Sequence, residues 1–137
     1  MRQILFRGKD LSGVLDHSWI FGSLDTTEKE YPSIIYLDRF GNRCRISVNH
    51  KTVGQYTGLT DKNGKKIFEG DIVVYCTSTN RATNKEFHEV VFETRGESGY
   101  FGIKISNIET WGFCMEVPAK LMEVIGNIYD NPELLEV

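Results

Sequence analysis

Hydrophobic and polar residues alternate in short runs along most of this chain, which is the pattern of β-strands with one buried face. Arg43 to Val48 places its three apolar residues on one side and arginines on the other, and Phe87 to Thr94 alternates similarly. Ile72 to Tyr75 is continuously apolar and too short for a helix. We therefore predict a buried strand there, with Ile72 and Val74 directed into the core.

The amino-terminal part predicts a β-hairpin with a long loop. Strands are predicted to begin at Ile4 and at Trp19, and Gly8 and Ser12-Gly13 are expected to end the first strand before the second begins. Trp19 and Phe21 share one face of the second strand. We interpret this face as core packing; the alternative is a platform on which bases or peptides stack.

The densest turn signals lie between Val53 and Tyr75. Asn63-Gly64 is the pair that a two-residue hairpin turn selects, because both residues must tolerate positive φ. Gly70-Asp71 marks a second turn, at the start of the apolar strand. Apolar spacings of three between Lys104 and Cys114 predict a loop or a short helical turn, and Pro118 to Met122 predicts one turn of 3₁₀ helix.

These elements predict a mainly β fold, α+β at most, made of short antiparallel strands. We expect residues 1–52 to form an N-terminal β-hairpin subdomain, and residues 53–137 to form a C-terminal SH3-like small barrel whose last strand runs from Met122 to Tyr129. A short C-terminal helix is predicted at residues 131–135, where proline follows a capping residue. A length of 137 residues fits one domain with two subdomains.

Composition argues against several classes of protein. The net charge of −3 does not supply the broad basic face that phosphate binding normally uses. Cys44, Cys76 and Cys114 are odd in number and widely spaced. We therefore expect no disulfide framework, and we expect the protein to be located in a reducing cytoplasm. No run approaches the ~20 apolar residues of a membrane span. Residues 77–86 are polar and predict an exposed loop that is mobile, binds a partner or is an inert insertion.

Residue types that carry catalysis are present but scattered. His17, His50 and His88 stand alone, without the spacing of a zinc site. The glycines between Val53 and Tyr75 do not match a dinucleotide or P-loop fingerprint. A cation site is the alternative to simple turn formation for three carboxylates: Asp61, Glu69 and Asp71. We expect no enzyme activity, no metal and no cofactor.

Several unusual motifs span nearly the whole chain: Phe6 to Lys9, Trp19 to Leu24, Val53 to Leu59, Asp61 to Lys65, Glu69 to Val73, Val124 to Tyr129 and Asn131 to Leu135. These motifs resemble the YopX family of phage and prophage proteins. The resemblance implies a small, mostly β protein in a phage or prophage setting, and it carries over neither an activity nor a catalytic residue.

We interpret the chain as a β-rich binding module for a host or phage protein, and we expect it to self-associate through aromatic patches or sheet edges. The alternative is a nucleic-acid-associated small barrel that binds backbone phosphate. The candidate interaction residues are Trp19, Arg39, Arg43, Arg45, Lys62, Lys65, Lys66 and Trp111.

Overall fold

The protein is described here by a computed structural model that covers residues 3–28, 30–75, 87–106, 109–113 and 118–136. The described part contains eleven β-strands in two antiparallel sheets and three single-turn 3₁₀ helices. The prediction of a mainly β fold is confirmed. The predicted loop at residues 77–86, Cys76 and Cys114 lie outside the described residues.

The strands are short, as the alternation predicts. They are β1 Phe6–Lys9, β2 Trp19–Asp25, β3 Ser33–Leu37, β4 Arg43–Ser47, β5 Gly54–Thr60, β6 Lys66–Phe68, β7 Asp71–Tyr75, β8 Phe87–Arg95, β9 Ser98–Ser106, β10 Glu109–Gly112 and β11 Met122–Asn127. The 3₁₀ helices are His50–Thr52, Ala119–Leu121 and Pro132–Leu135.

The chain forms two compact units, Met1–Tyr56 and Thr57–Val137, and β5 spans the boundary between them. The strand order in the first unit is β4-β3-β2-β1-β5. In the second unit, β5 continues beside β6, and a separate sheet has the order β10-β9-β8-β7-β11. The sequence pattern predicts this boundary between residues 52 and 53.

The core of the first unit lies on the face of β2 that carries Ile20, which packs with Ile34 and Val48. Gly8 does not break β1 but lies within it, opposite Ile20. A Cβ atom on Gly8 would lie 2.8 Å from Val48 Cγ2, so glycine allows this close approach.

The prediction that Trp19 and Phe21 form core packing is wrong. Because side chains alternate along a strand, the burial of Ile20 directs both rings to the opposite face of the sheet. Phe21 is exposed there. The physical reason is that the aliphatic residue between the two rings, not the rings, fits against Val48.

In the second unit, β7 is buried on both faces. Ile72 and Val73 are each 0 % exposed, whereas Val74 is only half-buried, so the placement of Val74 in the core is corrected. Val73 packs with Val90, Ile103 and other residues of the core cluster. The three consecutive antiparallel strands β7, β8 and β9 are confirmed.

The segment from Lys104 to Cys114 is a strand hairpin in its described part, so the expectation of a loop or helical turn is wrong. Ile103 of β9 pairs with Trp111 of β10, and Lys104 pairs with Thr110. The spacing of three arose because apolar residues of two facing strands were read as one series. The 3₁₀ turn before the last strand and the short C-terminal helix are present as Ala119–Leu121 and Pro132–Leu135.

Each unit contains the same hairpin turn, formed around an aspartate. Asp38 Oδ1 accepts hydrogen bonds from the amides of residues 40 and 42, both at 2.8 Å. Asp61 Oδ1 accepts them from Asn63 and Lys65, at 2.8 and 2.9 Å. The fourth residue is a glycine with positive φ in both turns, namely Gly41 at +82° and Gly64 at +81°.

The two-residue turn predicted at Asn63-Gly64 is therefore corrected to a three-residue loop. Asp61 and Lys65 close it through the Asp61 amide, which donates to the Lys65 carbonyl at 2.8 Å. Among the described non-glycine residues, positive φ occurs at Asp16 and His17 and not at Asn63. This geometry is a type I turn followed by a left-handed glycine.

Alanine substitutions in this turn are expected to separate the roles of Asn63 and Gly64. Gly64→Ala should lower the free energy of unfolding by ~1 kcal/mol, because the left-handed conformation is strained for any residue with a Cβ atom. Open space surrounds Gly64, so no clash adds to this cost. Asn63→Ala should change stability by less than about half that amount. Urea denaturation of both variants measures the difference, and equal losses would contradict the assigned turn.

Candidate functional site

The most unusual sequence motifs of the second unit meet where β7 begins and β11 ends. Gly70 has φ +88°, and a Cβ atom on it would lie 3.0 Å from the ring of Tyr129. The Gly70 carbonyl accepts a hydrogen bond from the Ile128 amide at 2.8 Å. A Cβ atom on Gly126 would lie 2.5 Å from Asn131 Oδ1. These residues hold the ends of β7 and β11 together, so the motifs specify the fold.

Two of the three carboxylates considered for a cation, those of Asp61 and Asp71, accept backbone hydrogen bonds within the protein. Asp61 Oδ2 accepts the Val124 amide at 2.9 Å, in addition to the two turn amides. Asp71 Oδ2 accepts the Phe68 amide at 2.8 Å. Across the described residues, no group of three His, Cys, Asp or Glu side chains could hold a metal ion.

The histidines are divided between the two units. His17 Nδ1 lies 2.9 Å from the Asp10 carbonyl in the first unit, and His88 Nδ1 lies 3.1 Å from the Lys104 carbonyl in the second. His50 is exposed in the first 3₁₀ turn. Each of these residues has a local structural position.

The structure separates the predicted interaction residues into two sets. Arg39, Arg43, Arg45 and Trp19 belong to the first unit, whereas Lys62, Lys65, Lys66 and Trp111 belong to the second. The three lysines are exposed at and beside the Asp61 turn, and Lys62 Nζ lies 3.4 Å from Glu123 Oε2. The lysines and arginines therefore do not have to act as one basic surface.

The first candidate surface is the outer face of the first sheet with its adjoining turn, which we call the arginine–aromatic face. Leu37 pairs with Arg43, and Ile35 pairs with Arg45, so these arginines lie beside apolar residues. Phe40, in the turn between β3 and β4, is 74 % exposed and has the Arg39 guanidinium 4.9 Å from its ring centroid.

Two basic residues of β1 lie on the same side of the sheet, Arg7 buried and Lys9 half-buried. The Arg7 guanidinium lies 4.4 Å from the centre of a Trp19 ring, and Lys9 Nζ lies 5.5 Å from it. Positive charge above an aromatic ring is favourable, because the ring face carries partial negative charge. Phe21, on the same face, completes the set.

Two aspartates hold parts of the arginine–aromatic face in place. Asp25 accepts hydrogen bonds from the Thr27 hydroxyl and amide and pairs with Arg45 at 2.6 Å, which together hold the pKa of its carboxyl well below its usual range. The backbone amide of Asn42 is the largest influence on the pKa of Asp38, which is also lowered. Both carboxylates are therefore ionised at neutral pH.

The second candidate surface is an aromatic row across β8, β9 and β10, formed by Phe92, Phe101, Trp111 and Phe113. Phe92 pairs with Phe101, and their rings make an edge-to-face contact with centroids 5.0 Å apart. The Phe113 amide donates to the Phe101 carbonyl at 3.0 Å. Trp111 pairs with Ile103, which places its ring on the same side of the sheet.

The aromatic row runs from the core to the surface. Phe113 packs against the core cluster of the second unit, whereas Phe92 and Trp111 are 47 % and 46 % exposed. A Cβ atom on Gly99 would lie 2.2 Å from the Phe92 ring, so that ring rests on bare backbone. Trp111 Nε1 donates to Glu109 Oε1 at 2.8 Å, which orients the indole.

Beside Phe113 is an open groove of about 410 Å³ in the same unit. Lys120 Nζ, on one wall, donates to Thr60 Oγ1 on the other at 2.9 Å. The remaining lining is mostly apolar: Gly58, Leu59, Phe113, Pro118 and Ala119.

Sequence reasoning identified Trp111 but missed Phe92 and Phe101 as partners, because their pairing depends on the register of β8 and β9. The signal that was present is the two-residue turn Gly96-Glu97, in which glycine is the first central residue with φ +63°. Counting outward from this turn gives the pair Phe92 and Phe101.

Comparison with known proteins identifies the family of this chain. The family model described as YopX protein matches residues 14–136. Among solved structures, protein EF1440 from Enterococcus faecalis is similar, with 25% identity, a TM-score of 0.55, and coverage of 99% of this chain and 100% of that chain. No curated protein matches. Since the family match extends over most of the sequence and the mainly β fold agrees with the structural neighbour, this chain belongs to the YopX family.

Proposed function

We propose that this YopX protein is a binding module that acts without catalysis and contacts a protein partner through the aromatic row. The observation that carries the proposal is the exposure of Phe92 and Trp111 in a row of rings whose other members, Phe101 and Phe113, are partly buried. Aromatic side chains dominate the energy of many protein interfaces, because they bury large areas and have few rotatable bonds.

The groove beside Phe113 supports the same proposal. An extended apolar segment of a partner would bury Leu59 and Phe113 in the groove and would extend over the other rings of the aromatic row. Lys120 and Thr60 would provide polar contacts at the rim. This combination of an apolar centre and a polar rim is typical of specific protein interfaces.

The strand order of the second unit supports a finer description of the module. Five antiparallel strands ordered β10-β9-β8-β7-β11, with a 3₁₀ turn before the last strand, have the connectivity of an SH3-like small barrel. We propose this architecture for the unit, together with the phage or prophage origin that the family implies. We also propose that it acts in the host cytoplasm, where a free thiol such as Cys44 stays reduced. No helix in the described residues is long and apolar enough to cross a membrane.

The proposal is tested by capture from a bacterial host that carries the gene. Wild-type protein, Trp111→Ser and Phe92→Ser are used as baits, with Tyr31→Ser as a matched control because Tyr31 is an exposed ring of the first unit. We expect a defined partner to be depleted at least ~10-fold by either row variant and retained by the control. The partner is then purified and titrated against each variant. Equal recovery with all four baits would contradict the proposal.

Self-association remains an expected property. The described surface exposes rings in both units, including Phe21, Tyr31, Phe40 and Trp111, and exposed apolar patches often mark interfaces. β4 is an edge strand of its sheet but carries Arg43 and Arg45, which disfavour edge pairing. We therefore expect an assembly through aromatic contacts. Light scattering should give a mass above 15.7 kDa at micromolar concentration. A constant monomer mass on tenfold concentration would contradict this expectation.

A further inference from the structure

We propose that the arginine–aromatic face of the first unit binds single-stranded nucleic acid. The two units differ in charge: residues 1–56 contain eight Lys and Arg against six Asp and Glu, whereas residues 57–137 contain eight against thirteen. The first unit therefore has a net charge of +2 and the second a net charge of −5. The net charge of the whole chain is negative, but the first unit by itself is basic.

The placement of the arginines concentrates this charge on one face. Arg43 and Arg45 are exposed on alternate positions of β4, and Arg39 lies in the turn that precedes this strand. Asp25 balances Arg45 through their 2.6 Å contact. Within the described residues, neither Arg39 nor Arg43 forms an ion pair like that of Arg45 with Asp25. Their charges are therefore available to a phosphate backbone.

The rings on this face provide the second requirement. Phe40 and Phe21 are exposed, and Leu37 lies beside Arg43. Unpaired bases stack on such rings without regard to sequence. The Arg39 guanidinium at 4.9 Å from the Phe40 ring can extend the stack as a flat cation.

This chemistry favours a single strand over the other acidic partners. A duplex covers the faces of its bases, so it could use the arginines but not the rings. An acidic protein segment without aromatic residues, such as polyglutamate, could use the same arginines, but it has no rings to stack on Phe40. Contributions from both the arginines and Phe40 therefore distinguish a single strand from either competitor.

The test measures fluorescence anisotropy of labelled oligothymidylate and oligouridylate, each 20 nucleotides long, with the full-length protein. The variants are Arg39→Gln/Arg43→Gln and Phe40→Ala; the charge-matched control is Lys62→Gln/Lys65→Gln in the second unit. If the protein makes two to three phosphate contacts, raising the salt concentration from 50 to 200 mM should weaken wild-type binding about 10-fold. Phe40→Ala should weaken it by about 10-fold as well. The lysine control and Trp111→Ser should bind like wild type.

Circular dichroism first shows that each variant is folded, which is expected because the replaced side chains are exposed. Binding that falls equally in the arginine and lysine variants would overturn the proposal, since it would indicate charge alone. The proposal would also be overturned if the protein bound a duplex more tightly than a single strand, or if Phe40→Ala bound with undiminished affinity. Equal competition by polyglutamate, or no binding at 50 mM salt, would overturn it as well. A loss confined to the arginine and Phe40 variants supports it. Since Trp111 belongs to the other unit, failure here is distinguishable from failure of the protein-binding proposal.

Discussion

Replacing Asp61 by alanine is expected to lower the free energy of unfolding by about 4 kcal/mol, a large share of the stability of a domain of this size. The side chain is 1 % exposed and accepts hydrogen bonds from the amides of Asn63, Lys65 and Val124. Alanine would leave these three donors without the carboxylate. The loss should be large because hydrogen bonds to a charged acceptor are stronger than neutral ones, and because the Val124 contact joins the turn to β11.

Asp38→Ala is the matched control, since the same turn surrounds Asp38 in the first unit. Its carboxylate accepts amides of the turn itself and is more exposed, so we expect a loss of about 1 kcal/mol. Urea denaturation gives both values. Similar losses for the two variants would show that the bond from Val124 to Asp61 does not stabilise the fold.

The Asp61 effect should depend on pH. Burial raises the pKa of Asp61, but the bonds from Val124, Lys65 and Asn63 outweigh burial, and the net pKa is lowered. A group whose pKa is lower in the folded state stabilises above its unfolded pKa of ~3.9, and this contribution is lost as the pH falls through the folded pKa. The stability gap between wild type and Asp61→Ala should therefore narrow below pH ~4. A gap that is constant from pH 7 to pH 3 would contradict the assigned bonds.

Local patterns were sufficient to predict much of the fold. Alternation located β4 and β8, because one face of each strand meets solvent and the other meets the core. The proline of the C-terminal helix and the 3₁₀ turn at residue 119 were likewise local signals. These elements depend on neighbours in sequence, so the sequence predicts them well.

The errors occurred where distant strands decide the outcome. Trp19 and Phe21 are outside the core because Val48, far along the chain, packs closely against Gly8 and in one cluster with Ile20. Residues 109–112 form a strand because they pair with β9. Side-chain size and periodicity do not contain this information.

The candidate surfaces were predictable only in part. The three arginines of the arginine–aromatic face were identified by their proximity in sequence, whereas the inclusion of Phe21 depends on the pairing of β2 with β3. The lysines were grouped with the arginines by charge, and the structure assigns them to another unit. Charge type was visible in the sequence, but its distribution was not.

The largest expected effect is that of Ile72→Asp, which should prevent folding. Ile72 is 0 % exposed in a strand whose next residue, Val73, is also fully buried. An unpaired carboxylate at this position would have to be buried without compensation, and the cost of several kcal/mol is comparable to the whole stability of the domain. We expect insoluble protein, or soluble protein that lacks the wild-type circular dichroism spectrum.

Val74→Asp is the control that distinguishes the structure from simple alternation. Alternation along β7 places Val74 on the same face as Ile72, and the sequence pattern alone predicts that both side chains point into the core. Since Val74 is half-buried, its carboxylate can reach water, and we expect a soluble, folded variant that is destabilised by about 1–2 kcal/mol. Thermal melts of both variants decide the matter. If Val74→Asp is as damaging as Ile72→Asp, the face of β7 is buried along its whole length and the assigned end of the core is wrong; if Ile72→Asp folds normally, β7 is not a core strand.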